Sequence, residues 1–68
     1  MPDGLPNDAE IIAAAYAVRV TDLFRVFAEA VATGELDREA VVRFKRGLMA
    51  AQRVRELALE AAKETRGA

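Results

Sequence analysis

Both prolines of this chain, Pro2 and Pro6, fall within its first six residues, so no residue from Asn7 onward forbids a continuous helix. Nothing else in the sequence constrains the fold as strongly. Alanine, leucine, arginine and glutamate dominate the rest of the chain, all good helix formers, and β-branched residues never cluster. Within that stretch Gly34 is the one break with an apolar helical pattern on both sides. The expected fold is therefore all-α, an antiparallel two-helix hairpin.

Residues 1–6 read as a flexible arm. Asn7 stands where an N-cap belongs, with Glu10 three residues later to complete a capping box. The first helix is predicted over about 8–33. Gly34 supplies a left-handed stop, residues 34–37 form the turn, and Asp37 serves as the next N-cap, flanked by Leu36 and Val41 as a hydrophobic staple. The second helix is predicted over about 38–65, with Gly67 closing the 7–68 hairpin.

On a wheel of 100° per residue, the first helix gathers Ala13, Tyr16, Val20, Leu23, Phe24, Phe27, Ala30 and Val31 on one face. The second sets Ala40, Phe44, Gly47, Ala51, Val54, Ala58 and Ala61 at alternating steps of four and three, a coiled-coil-like seam. Folding the chain about residue 35 brings Phe27 to Phe44, Phe24 to Gly47, Val20 to Ala51 and Tyr16 to Val54. Arg55 falls on the flank of that seam, where its stem can cover apolar surface near Tyr16 while its head reaches the phenol or a partner's carboxylate.

Two thin rods touching along one seam cannot hide this much apolar surface. Val26, Val31, Val41 and Leu48 flank the seam, and Ile11 to Val18 is apolar around nearly the whole helix. The greasier end is expected to be the open one, away from the turn, and such patches mark interfaces. Ile11, Ile12, Tyr16, Val18, Leu57 and Leu59 are the expected partner contacts. A symmetric homodimer forming a four-helix bundle is the economical arrangement, and another helical protein could supply the missing helices equally well.

The residue inventory argues against catalysis. The sequence contains no histidine, cysteine, serine or tryptophan, so Thr21, Thr33 and Thr65 lack the usual base to activate them. Glu56, Glu60 and Glu64 share a helix face but have no histidine to complete a bundle-type metal site. No Gly-rich phosphate loop occurs. The expectation is a protein that is not an enzyme and has no cofactor, metal or small-molecule substrate. The absence of cysteine favours a reducing, cytoplasmic setting, and the alanine- and arginine-rich composition suggests a bacterial source. No secretion signal is expected at the start, and the longest uncharged stretch, Ile11 to Val18, is too short to cross a bilayer. Membrane-surface attachment is disfavoured by the acids flanking the open end.

Charge divides unevenly. Residues 1–36 sum to −4 and residues 37–68 to +3, returning the net −1 of the whole chain. Arg43, Lys45, Arg46 and Arg53 concentrate near the middle of the second helix, which makes nucleic-acid binding by a dimer the alternative function. Glu39 and Glu56 lie within pairing distance in sequence and no exposed aromatic is available for stacking, so a salt-paired solvated face is the preferred reading. The leading expectation is a protein–protein interaction or oligomerisation module of the adaptor, chaperone-like or regulatory-subunit kind. In size and topology, and in no quotable motif, it resembles three groups of small bacterial helical hairpins. These are plasmid RNA-binding four-helix-bundle dimers, small co-chaperones of type III secretion, and the oligomerisation hairpins of phage-type packaging subunits.

Overall fold

A computed structural model describes the backbone of residues 7–67 and the side chains of residues 7–65. The arm assigned to residues 1–6 lies outside the described residues. Two helices make up the described fold, α1 over Asp8–Ala32 and α2 over Asp37–Gly67, packed side by side as an antiparallel hairpin.

Each boundary has a local cause. The Asn7 amide donates to Glu10 Oε1 at 3.0 Å and the Glu10 amide donates to Asn7 Oδ1 at 2.8 Å, so the capping box satisfies two otherwise orphaned donors. At the far end the amides of Thr33 and Glu35 bond back to the carbonyls of Glu29 and Ala30, and Gly34 turns the chain at φ +96°. An L side chain at that φ would carry a steric penalty, which glycine avoids. The second cap falls one residue earlier than expected. The Leu36 carbonyl accepts from the Ala40 amide, which makes Leu36 the half-in residue and Asp37 the first helical one. Asp37 and Glu39 then act through their charge on the positive helix start rather than through a cap bond. Leu36 is itself 58% exposed, so the expected staple with Val41 does not hold it down.

The seam runs through Tyr16, Leu23 and Phe27 of α1 and Phe44, Gly47, Ala51 and Arg55 of α2. Phe27 and Phe44 stack with ring centroids 4.9 Å apart, as the folded register predicts. At Gly47 the occupant is Leu23 rather than Phe24. A Cβ built on Gly47 would come within 2.5 Å of Leu23 Cδ2, so the leucine uses the space that glycine leaves. Phe24 turns outward and is 57% exposed. Both residues lie within the apolar arc of α1, and the inward one is decided by the direction in which the arc meets α2.

The Cα atoms span 51 × 23 × 8 Å, a slab one helix thick with both broad sides open. Among the described residues only Ala40 and Ala51 are buried, and ten large apolar side chains are 40–68% exposed. Four of these, Ile11, Val18, Val54 and Leu57, lie in the open half. The other six, including Phe24, Val26 and Met49, extend the excess through the middle to the turn. The surplus is therefore not confined to the open end, because a slab this thin cannot cover its flanking stripes anywhere along its length.

Candidate interaction surface

One broad side of the hairpin is built from two matching stripes. On α1, Ala15, Arg19, Asp22 and Val26 follow at steps of four, three and four, and on α2 Arg43, Gly47, Ala50 and Val54 do the same. Between these stripes runs a shallow groove. Its open half is lined by Ile12, Ala15, Tyr16, Arg19, Ala50, Ala51, Val54, Arg55 and Ala58, almost entirely by carbon. Its turn half continues past Arg19 and Asp22 to Val26, Ala40, Arg43 and Gly47. Small residues on α2 make the recess in the open half, because Ala50, Ala51 and Ala58 leave space a larger side chain would fill, whereas at Gly47 the Leu23 side chain takes it up.

Two arginines edge the open half. The Arg55 guanidinium carbon lies 4.5 Å from the centroid of the Tyr16 ring, close enough for cation–π attraction, and its stem covers apolar surface as its flank position implies. Its buried Nε finds no hydrogen-bond acceptor among the described residues. Arg19 likewise has no acid within ion-pair distance among the described residues.

The turn half is more completely paired. Arg43 makes a forked bond to Glu35, Nη1 to Oε2 at 2.5 Å and Nη2 to Oε1 at 2.7 Å, tying the second turn of α2 to the interhelical loop. That hydrogen bond, with the arginine's charge, holds the Glu35 carboxyl below the usual carboxylate range and raises Arg43 above its ordinary value.

The residues expected to contact a partner divide into three groups. Ile12 and Tyr16 are half-buried and line the groove. Leu57 and Leu59 border one shallow recess with Arg53, Glu56 and Glu60, and half-buried Leu59 also lines a second with Asn7, Asp8 and Ala9 at the open end. Ile11 and Val18 are exposed and border neither the groove nor the Leu57–Leu59 recess. The six therefore do not form one continuous patch. Ala50, Val54 and Val26 border the groove, although hydropathy alone does not mark them as contacts. The signal that finds them is the four-three-four spacing of small and apolar residues on both helices.

Of the basic cluster, Arg43 is committed to Glu35, and Arg53 stands 3.9 Å from Glu56 in an exposed pair of little energetic weight. Lys45 and Arg46 are exposed without an ion pair among the described residues. The threonine hydroxyls are engaged within their own helices, donating at 2.9 Å to the carbonyls of Ala17, Glu29 and Ala61. No group of three or more metal-ligating side chains occurs among the described residues, and no helix there is long and apolar enough to cross a membrane. No known family, curated protein or solved structure matches the chain.

Proposed function

We propose that this chain is a non-enzymatic oligomerisation and protein-interaction module that completes its core by pairing with a second copy, forming a four-helix bundle. One observation carries this reading: among the described residues, ten large apolar side chains stay exposed while only Ala40 and Ala51 are buried.

The homodimer is preferred to a heteromeric partner because closed two-fold assemblies are the commonest way for one chain to cover such a surface. A nucleic-acid role for Arg43, Lys45, Arg46 and Arg53 is less favoured, since acids engage two of the four. Light scattering on the isolated chain at micromolar concentration tests the proposal, with twice the chain mass of 7.4 kDa as the expected result. A folded species of single-chain mass would overturn self-assembly. Titration with duplex DNA and structured RNA is expected to leave the protein free. Binding that weakens steeply with salt and disappears in Arg46→Glu plus Arg53→Glu would instead establish the nucleic-acid role.

A further inference from the structure

Taking the homodimer as given, we propose that the covered side is the grooved one, and that two copies meet there about a two-fold axis lying across the hairpin. The axis passes between Val20 and Thr21 on α1 and between Ala50 and Ala51 on α2. The pairings of Tyr16 with Arg55 and of Phe27 with Phe44 fix the register, and in that register these two points are level. A single axis can therefore serve both helices.

A two-fold axis exchanges residues equidistant from it, so the face must be complementary to itself. On α1 the axis sets Arg19 against Asp22 of the second copy and Val26 against its Ala15. On α2 it sets Val54 against Gly47 of the second copy and Ala50 against its Ala51. Val26 and Val54, 63% and 64% exposed, each meet a residue with little or no side chain, which lets the layers close. Arg19 lacks an acid among the described residues, and Asp22 has only a loose pair with Arg25 at 3.8 Å, so both are available. Symmetry makes each of these pairings twice.

On the opposite side Phe24 would meet Ala17 about the same axis, and α2 there sets exposed Lys45 and Gln52 beside half-buried Val41 and Leu48, so a cover would desolvate polar groups that have no charge partner in the face. On the grooved side, Arg43 is the one charge of the α2 stripe, and it is already forked to Glu35.

The chain contains no cysteine, so single introduced thiols report position cleanly. With a short bismaleimide, Ala50→Cys is expected to link into a covalent dimer, whereas Gln52→Cys on the opposite side is not. Arg19→Asp should weaken the dimer about 10-fold, and adding Asp22→Arg should restore it to within about 3-fold. Val54→Glu should shift the mass measured at ~10 μM towards that of one chain, and Phe24→Glu should leave it that of a dimer. A dimer that links through Gln52→Cys, or fails to link through Ala50→Cys, overturns the axis while the homodimer stands. A wild-type chain that is monomeric by light scattering overturns the homodimer itself.

Discussion

The two halves of the hairpin are held together by different means. In the turn half, Phe27 stacks on Phe44, Leu23 fills the space over Gly47, and Arg43 clasps Glu35 across the loop. These groups meet specific counterparts on α2 or in the loop, while Phe24, Val26 and Val31 beside them stay exposed. In the open half α2 offers Ala50, Ala51 and Ala58, so Tyr16 is covered by Arg55 and a carbon-lined groove remains. Phe27 on Phe44 and Leu23 over Gly47 close the seam, whereas Tyr16 opposite the alanines leaves a recess. The turn half fixes the register, and both halves leave apolar side chains exposed.

Truncating a turn-half ring should separate the halves most sharply. Phe44→Ala removes the stack and is expected to cost about 2 kcal/mol in denaturant unfolding, less than a fully buried phenylalanine because this ring is half-exposed. Gly47→Leu should cost ~2 kcal/mol by forcing Leu23 out of its place, and Leu23→Ala in the same chain should recover part of that. Gly47→Ala, by contrast, should fall within ~1 kcal/mol of wild type, since the gain in helix propensity offsets a small shift of the Leu23 tip. Gly34→Val should cost about 1–2 kcal/mol. The cause there is backbone alone, because a Cβ at this position would have nothing within 4 Å.

The Glu35–Arg43 clasp should give the smallest effect, seen through pH. Glu35 titrates lower in the folded chain than its ordinary value, so its contribution is present above the usual carboxylate range. It is lost as pH falls through the folded-state value. Glu35→Gln should therefore lower stability slightly at neutral pH and flatten the acid side of the stability profile. An unchanged acid limb would show that the clasp contributes nothing.

Much of this architecture is legible in the residues. Pro6, the Asn7–Glu10 pair and Gly34 mark α1 and the turn, because capping and left-handed glycine act within a few residues of sequence. The Phe27–Phe44 pair follows from antiparallel register alone. Phe24 and Leu23 are harder to separate, since both lie in one apolar arc and only the packing against α2 decides which turns inward. The second cap escapes a reading of residues because Asp37 is chemically the better N-cap, yet the tight turn after Gly34 delivers Leu36 there. The exposed surplus is legible in kind but not in extent, because hydropathy along a helix does not report the thickness of the layer it joins. Sequence marks Val26 and Val31 beside the seam but puts the greasier part at the open end, whereas six of the ten exposed side chains lie from the middle to the turn.

The most direct test is the dependence of thermal unfolding on protein concentration. If a second copy completes the core, the midpoint should rise steadily as the chain is concentrated through the micromolar range, since association stabilises the folded state by mass action. A cooperative transition whose midpoint does not move over that range would show that the hairpin is sufficient alone.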